Sequence, residues 1–306
     1  MTSSAHVDVL VSVGIPTFNA AATVSAGLTS LLSQTHERLE ILVSDNASTD
    51  ATADRIEEIA RRDSRVRIIH QPKNLGAQAN FRFLLSIASG DFFMWAGSDD
   101  VHHREFVSSN LNRLLTNEAL SGSISQVRWT HGGRSGALAV GTKPLFGTPR
   151  QNLATYMRSA RDNSRFYGLF RRDALVASFP DRDFYGFDIS VMAGTLSHGG
   201  HDRVECELLQ RERTDPSEYI GLANAGETTR LDRAIPLRHL TVSILTQNYR
   251  MVSVPTLWWL MWRNIYEHTR YWATTDGHYR WLAHKGQTAL EKIRRVAWES
   301  EVSGPS

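Results

Sequence analysis

The first hundred residues alternate between short, continuous apolar runs and longer segments whose apolar residues recur at helical spacing. Continuous apolar runs are typical of buried strands, whereas helical spacing places apolar side chains on one helix face. The runs predict strands at residues 9–15, 39–43, 66–69 and 91–96. The spacing predicts three intervening helices with the apolar faces Val24, Leu28, Leu31 and Leu32; Ala53, Ile56, Ile59 and Ala60; and Ala79, Phe83, Leu84 and Ile87. Such alternation predicts a parallel sheet with right-handed crossovers.

After residue 100 the alternation is less regular. Apolar spacing predicts helices at 104–115 and 187–196 and strands at 123–130 and 166–170, and residues 132–149, rich in Gly, Pro and Thr, predict a loop. From about Leu231 the spacing is helical, with breaks near Pro255 and Gly277. The sequence therefore predicts an α/β fold with a mostly parallel sheet flanked by helices and a C-terminal helical extension.

Composition narrows the class of protein. Hydrophobic residues make up 41% and charged residues 22% of the 306 residues, as in ordinary globular proteins. The single cysteine, Cys206, excludes an internal disulfide framework and favours a reducing compartment. Residues 1–8 lack the features of a signal peptide, and the apolar run 254–262 is too short to span a bilayer. These features predict a cytoplasmic location.

The C-terminal region differs from the rest in charge and in aromatic content. Residues 225–298 hold 11 Lys or Arg and 5 Asp or Glu, a net charge of +6, and six of the eight tryptophans. Two alternatives follow. Its helices pack on the main domain or form a homodimer face, or they contact the inner face of a membrane through aromatics and Arg263, Arg270, Arg294 and Arg295. Nucleic-acid binding is disfavoured because the basic residues do not follow a groove.

Two carboxylates follow the fourth predicted strand, in the segment Ser98, Asp99 and Asp100. Adjacent carboxylates repel each other unless a cation joins them, and Mg²⁺ or Mn²⁺ is the cation that prefers oxygen ligands. Such a cation keeps coordination positions open for phosphate oxygens, so a diphosphate ligand is indicated. The alternative is that the two acids cap the next helix.

Polar residues also follow the other predicted strands, at the sheet edge where ligands bind in open α/β folds. Asp45 follows the second strand and is suited to accept hydrogen bonds from a ribose or a base. The remaining candidates, each also explicable as a turn or cap residue, are Pro16, Thr17 and Asn19 after the first strand and Asn74 and Gly76 before the third helix.

Taken in order, the four segments 15–19, 44–49, 74–80 and 98–100 resemble the motifs of the family 2 nucleotide-sugar glycosyltransferases, over about residues 8–215. The resemblance implies the GT-A fold, with a nucleotide-sugar half at about 8–130, an acceptor half at about 131–225 and a helical extension at 226–306. It places Asp45 at the nucleobase and Pro16 and Thr17 beside the nucleotide. It makes Asp99 and Asp100 the residues that hold the metal and the ribose.

The resemblance also implies a catalytic base, which falls on Asp188 after the strand containing Gly168; the alternative role for Asp188 is a helix cap. The chain departs from the family at three positions. Gly97 stands where many relatives have an aspartate, so either Asp99 or Asp100 is the direct metal ligand. Phe187 replaces the usual acidic partner of the base. Arg213 lies in a segment where relatives often have a histidine, and its guanidinium suits diphosphate.

The function implied is a metal-dependent, inverting transfer of a sugar from a nucleoside-diphosphate sugar, with UDP favoured, to a hydroxyl of a glycan or lipid-linked glycan. One alternative is a sugar-nucleotide nucleotidyltransferase, although residues 16–20 contain neither the Gly nor the Lys expected for gripping a triphosphate. A second alternative is a non-catalytic module that binds nucleotide sugars.

Overall fold

The computed structural model describes residues 8–159, 163–212, 235, 237–248 and 250–275. These residues form an α/β fold in which one nine-stranded sheet is flanked by helices. The strands are β1 (Val11–Thr17), β2 (Leu39–Asp45), β3 (Val66–His70), β4 (Phe92–Trp95), β5 (Val101–His102), β6 (Leu120–His131), β7 (Arg134–Leu138), β8 (Leu169–Arg171) and β9 (Gly200–Glu212).

The helices predicted from apolar spacing are present close to their expected positions, and two further helices, Pro149–Ser159 and Arg172–Ser178, were not predicted. They are α1 (Val24–Leu32), α2 (Thr52–Ala60), α3 (Ala77–Ile87), α4 (Phe106–Thr116), α5 (Pro149–Ser159), α6 (Arg172–Ser178), α7 (Phe187–Thr195), α8 (Arg238–Gln247) and α9 (Val254–Thr275). A 3₁₀ helix covers Ser164–Tyr167. The predicted C-terminal helices are thus confirmed as far as residue 275, and the predicted break near Gly277 and the boundary at 225/226 lie outside the described residues.

The first half of the sheet is parallel and follows the predicted strand–helix alternation. Its strand order is β3-β2-β1-β4, and Thr17 at the end of β1 lies opposite Asp45 at the end of β2. Because β4 runs parallel on the other side of β1, the segment after Trp95 leaves the sheet at the same edge. Neighbouring strands are about 4.8 Å apart, so these chain segments meet at one carboxyl edge.

The second half of the sheet mixes directions. Strand β8 pairs antiparallel with β4 and β6, and the long strand β9 runs parallel to β6. The register between β6 and β9 shifts at three points, and the end of β9 places Arg211 opposite Trp129. This second half delivers residues from the C-terminal part of the chain to the edge formed by β1, β2 and β4.

Two sequence predictions in this half need correction. The predicted loop 132–149 contains β7, whose five residues are all exposed and so give no alternation of apolar and polar positions. The predicted strand 166–170 begins as the 3₁₀ helix and becomes β8 only at Leu169. Strand β9 was not predicted either, because its buried positions do not alternate regularly with exposed ones.

Trp95 anchors the chain immediately before the candidate site. Its side chain is fully buried between the sheet and the 3₁₀ helix, where it stacks on Phe166 with ring centroids 4.4 Å apart and an interplanar angle of 3°. Its indole N–H donates to the carbonyl oxygen of Phe81 at 3.2 Å. Trp95 therefore fixes the point at which the segment containing Asp99 leaves the core.

The C-terminal helices pack behind α7. A methyl carbon of Leu240 in α8 lies 3.2 Å from the position that a Cβ atom would occupy on Gly186, and the hydroxyls of Ser190 and Ser243 are 2.7 Å apart. Asn264 of α9 accepts a hydrogen bond from the Leu237 amide at 3.0 Å and so joins α9 to α8. In the part of the chain that the structure describes, no helix combines the length and apolarity needed to cross a bilayer.

Replacement of Trp95 by alanine is expected to lower the free energy of unfolding by about 3–5 kcal/mol, because it leaves a cavity and removes the hydrogen bond from the indole to the Phe81 carbonyl. Urea unfolding followed by circular dichroism measures the change. The matched control is Trp258→Ala: that side chain is 54% exposed, so we expect a change within about 0.5 kcal/mol. Equal losses in the two variants would contradict the anchoring role of Trp95.

Candidate active site

Asp45 lies at the carboxyl edge of the sheet, where its side chain is buried among polar groups. Its side chain is 4% exposed and accepts a long hydrogen bond of 3.4 Å from the amide of Ser48. The ring of His70 lies 3.9 Å from its other carboxylate oxygen. One carboxylate oxygen with so few protein donors is free to accept from a planar ligand at this edge.

The loop after β1 is held by the loop after β2. Asn19 adopts a positive φ of 50°, its amide donates to the hydroxyl of Ser48 at 2.9 Å, and its side-chain oxygen accepts from the amide of Thr49 at 2.9 Å. Thr17 is buried and donates to the Ser44 carbonyl at 3.3 Å, while Pro16 is half-buried beside it. Asn19 thus shapes the loop through its own side chain, and its predicted ligand contact stays a prediction.

Asn46 connects the second and third strand ends, a role that the sequence analysis did not assign. Its side-chain nitrogen donates to Asn74 at 3.0 Å, and its side-chain oxygen accepts from the Leu75 amide at 2.8 Å. Asn74 also accepts from the Gly76 amide at 2.8 Å. Gly76 has a φ of 82°, a backbone conformation that favours glycine at the start of α3. Asn74 and Gly76 therefore lie beside the Asp45 loop.

The carboxylates of Asp99 and Asp100 converge above Gly97. A Cβ atom on Gly97 would lie 2.8 Å from an oxygen of Asp99 and 2.9 Å from an oxygen of Asp100. The Gly97 amide donates to Asp100 at 3.0 Å, and Ser98 between them is half-buried. The absence of a side chain at Gly97 is what allows both carboxylates to occupy this space.

Arg211 compensates the charge of the two acids. Its Nε donates to both carboxylate oxygens of the buried Asp100, at 3.1 and 3.3 Å. Its guanidinium also lies 3.6 Å from the ring centroid of Tyr167 and 5.2 Å from that of Trp129. Burial opposes the charge of Arg211, but the carboxylate of Asp100 raises its pKa, so the guanidinium stays positive.

The two adjacent acids, Asp99 and Asp100, have different electrostatic environments. Asp99 is an exposed residue, but partial burial of its carboxyl raises its pKa, the charge of Asp100 raises it further, and Arg211 lowers it. The neighbouring His102 is buried, and burial lowers the pKa of its ring to about 4, so it is neutral at physiological pH. His102 therefore does not neutralise either carboxylate. An excess of negative charge around Asp99 makes it a position where a cation is stabilised.

Asp188 lies in the first turn of α7, after Gly186 in the left-handed region at φ 85°. Burial raises the pKa of its carboxyl, although Asn163 donates a hydrogen bond to one of its oxygens at 2.8 Å. Asn163 in turn accepts a hydrogen bond from the hydroxyl of Tyr156 at 2.7 Å. The carboxyl of Asp188 is thus oriented by a chain of two hydrogen bonds and has the raised pKa typical of a general base.

Asp99, Asp100 and Asp188 share one electrostatic environment. The charge of Arg211 lowers the pKa of both Asp99 and Asp188. Burial raises the pKa of Tyr167 to about 12, and the charges of all three aspartates add to this rise. Asp45 lies on the opposite side of β1 at the same sheet edge. The structure therefore places Asp99, Asp100 and Asp188 in one electrostatic environment and Asp45 at the same edge of the sheet.

The donor set fits a divalent cation that is bound partly by its substrate. Among the described residues no group of three or more His, Cys, Asp or Glu side chains is placed to hold a metal. Mg²⁺ is commonly bound by one or two carboxylates plus phosphate oxygens, so the single carboxylate of Asp99 is sufficient on the protein side. Both oxygens of Asp100 face Arg211, and its predicted role as a metal ligand stays a prediction.

Arg213, the predicted phosphate contact in the last segment, lies outside the described residues, so its role stays a prediction. Arg211, from the same segment, lies at the acids. Tyr167, Asn163 and Asn46 were also missed. The sequence indicates only in general terms that such partners exist, because buried acids need positive and hydrogen-bonding neighbours. With 34 Lys and Arg in the chain, the sequence alone does not identify which of them pairs with an acid.

Comparisons with curated proteins give relatives over about a third of the chain. It is 34% identical over 110 residues to the Escherichia coli "UDP-Glc:alpha-D-GlcNAc-diphosphoundecaprenol beta-1,3-glucosyltransferase WfgD", covering 36% of this chain and 43% of that protein. It is 32% identical over 112 residues to an uncharacterized glycosyltransferase of Haemophilus influenzae, covering 37% of this chain and 35% of the relative. The matches thus span less than half of these relatives' lengths.

Solved structures with the same fold include two enzymes. Residues 1–349 of Staphylococcus aureus TarS in complex with UDP-GlcNAc match with a TM-score of 0.59 and 17% identity, over 78% of this chain and 67% of that one. Glucosyl-3-phosphoglycerate synthase of Mycobacterium tuberculosis, in complex with Mn²⁺, UDP and phosphoglyceric acid, matches with a TM-score of 0.50 and 21% identity, over 78% of each chain. These likenesses confirm the predicted α/β fold of GT-A type.

The family model described as "Glycosyl transferase family 2" matches residues 12–179, which is more than half of the chain. The matched region contains the four strand-end segments at 15–19, 44–49, 74–80 and 98–100 on which the resemblance was based. The chain belongs to glycosyl transferase family 2.

Proposed function

We propose that this protein is an inverting glycosyltransferase that moves a sugar from a UDP-sugar to a hydroxyl of a lipid-linked glycan. The observation that carries the proposal is the clustering of Asp99, Asp100 and Asp188 around Arg211 at the carboxyl edge of the sheet. The name of the relative WfgD of Escherichia coli supports UDP-glucose as donor and a diphosphoundecaprenol-linked acceptor.

The donor half of the cleft follows the strand ends. Asp45 accepts from the nucleobase, Thr17 and Pro16 line the nucleotide, and Asp99 is the residue that would hold Mg²⁺ or Mn²⁺. The cation, when bound, stabilises negative charge on the departing nucleoside diphosphate. Arg211 supplies a second positive charge that is already in position, because its contact with Asp100 fixes it before any ligand binds.

The acceptor half is built around Asp188. Its carboxylate takes the proton from the acceptor hydroxyl while that oxygen bonds to the anomeric carbon, and the bond to the diphosphate oxygen breaks on the opposite face. The raised pKa of Asp188 makes it a better proton acceptor than an exposed aspartate. The Phe187 side chain, where relatives have a second acid, leaves Asn163 as the polar partner that orients the base.

The two alternatives from the sequence are less well supported. The loop after β1 is held by side chains of the second loop and offers no lysine for a triphosphate, which disfavours a nucleotidyltransferase. A non-catalytic binding module would not need the hydrogen-bonded chain Tyr156–Asn163–Asp188. That chain favours an enzyme.

Replacement of Asp188 by asparagine is expected to lower kcat by about 10²- to 10⁴-fold, because the amide cannot accept the proton. The affinity for UDP is expected to be unchanged. Turnover is measured by UDP release and affinity by calorimetry. The exposed Asp181→Asn is the matched control and should keep full activity. A parallel loss of UDP affinity and kcat would contradict the role of Asp188 as a base.

Replacement of Asn163 by glycine tests how the base is tuned. Glycine accepts the positive φ of 38° at this position but removes the hydrogen bond to Asp188. Because that bond stabilises the charged carboxylate, its loss raises the pKa of Asp188 further. The base is active only when deprotonated, so the acidic limb of the kcat/KM profile should move to higher pH.

The control for this profile is Tyr156→Phe, which removes the outer hydrogen bond of the chain and keeps the bond from Asn163 to Asp188. We expect its acidic limb to move less than that of Asn163→Gly. An unshifted acidic limb in Asn163→Gly, with the variant folded, would mean that Asn163 does not tune the reacting carboxyl.

Replacement of Asp99 by asparagine is expected to weaken UDP binding in the presence of Mn²⁺ by at least about tenfold, because the carboxylate that holds the cation is lost. Binding measured by calorimetry with EDTA should change little. The comparison variant is Asp100→Asn, which should weaken binding under both conditions because it releases Arg211. Asp99→Asn with unaltered Mn²⁺-dependent binding would exclude Asp99 as the ligand.

A further inference from the structure

Helix α9 carries an apolar stripe that the described part of the protein does not cover. Six large side chains on one face are each between 42% and 62% exposed. They recur at helical spacing: Val254, Leu257, Trp258, Met261, Trp262 and Ile265. At 1.5 Å per residue the stripe is about 17 Å long. It is therefore a continuous apolar patch, in contrast to the single exposed hydrophobic residues that are common on protein surfaces.

The opposite face of α9 is the one that packs on the protein. Thr256 and Leu260 are buried, and Asn264 bonds to both the Leu237 amide and the hydroxyl of Thr241 in α8, each at 3.0 Å. The docked face therefore fixes the rotation of α9 about its axis. The apolar stripe points away from the protein as a consequence of these contacts.

The charge of the surrounding segment indicates what kind of partner binds the apolar stripe. Residues 237–275, which span α8 and α9, contain four arginines and one glutamate, a net charge of +3. Arg250 is exposed just before α9, and Arg263 lies over the ring of Tyr266 at 5.4 Å. A second copy of the chain would bring a second positive segment against this one, whereas a bilayer with anionic lipid has the complementary charge. Tryptophan side chains favour the headgroup level of such a bilayer.

The stripe is also connected to the acceptor side of the candidate site. Helix α9 is bonded to α8 through Asn264, and α8 packs on α7 through Leu240 and Ser243. Asp188 lies in the first turn of that same α7. One helix layer thus separates the stripe from the helix that carries the proposed base.

We propose that the α9 stripe docks this protein on the surface of an anionic phospholipid bilayer, with the helix lying in the plane of the interface. Such an interfacial helix buries its apolar face about 5–10 Å deep, at the boundary between the headgroups and the acyl chains. The link to catalysis, that docking presents Asp188 to a lipid-linked acceptor, rests on the proposed function, whereas the docking itself does not.

The test is sedimentation of the full chain with vesicles of phosphatidylcholine alone and of phosphatidylcholine with phosphatidylglycerol. We expect binding to the anionic vesicles that weakens as salt is raised. Trp258→Glu and Trp262→Glu should each reduce the partition coefficient at least about tenfold. Each replaces an apolar side chain that would be buried in the bilayer by a negative charge, which the anionic lipid repels. The matched control is Val176→Glu on α6, a site 50% exposed, which should lose at most about twofold from its added charge.

Three outcomes overturn the proposal: no binding to any vesicle, equal losses in Trp258→Glu and Val176→Glu, or a wild-type dimer that Trp258→Glu converts to a monomer without any vesicle binding. The last outcome would make the stripe a homodimer face.

A sugar-transfer assay keeps this inference separate from the proposed function. Trp258→Glu should lose transfer to an acceptor embedded in vesicles but retain it with a short-chain, water-soluble acceptor. Vesicle binding without any sugar transfer would contradict only the proposed function, and transfer without vesicle binding would contradict only the docking.

Discussion

The ion pair between Arg211 and Asp100 joins the two halves of the sheet at the point where the acids gather. Asp100 follows β4 of the parallel half, and Arg211 ends β9 of the mixed half. Without the guanidinium, the carboxylates of this region would face one another in a space from which much of the water is removed. Breaking one partner of a buried pair is far more costly than leaving the pair out altogether. The position of the end of β9 relative to the segment after β4 therefore depends on the neutralisation of Asp100 by Arg211.

The same pair assigns different environments to chemically identical side chains. Asp100 is satisfied by Arg211 and by a backbone amide, Asp99 is left beside a like charge, and Asp188 is oriented by an asparagine. Three aspartates thus acquire three distinct propensities: to hold a guanidinium, to attract a cation and to take up a proton. The differences come from neighbours contributed by distant parts of the chain, because the side chains themselves are the same.

The parallel half of the fold was predictable because β1, β2 and β4 are buried along nearly their whole length and so give apolar runs. The helix Val24–Leu32 and the edge strand Val66–His70 also lie close to their predicted positions. Strand β7 is exposed throughout and the pairing of β9 with β6 shifts repeatedly, so neither has a regular period. For the site, the strand-end acids were predictable from local position. Arg211 and Asn163 were not, because they are recognised only by contacts with residues 111 and 25 positions away in the chain.

Gly97 has a consequence for how this sequence is able to change. Its vacant side-chain space is filled by oxygens of Asp99 and Asp100, and the latter is fastened to Arg211 and to the Gly97 amide itself. An aspartate at position 97 would meet the carboxylate of Asp100 and would have to displace it from Arg211. Its effect is therefore expected to depend on whether Asp100 and Arg211 are both present, so the three positions form one coupled unit in which glycine leaves room for the ion pair.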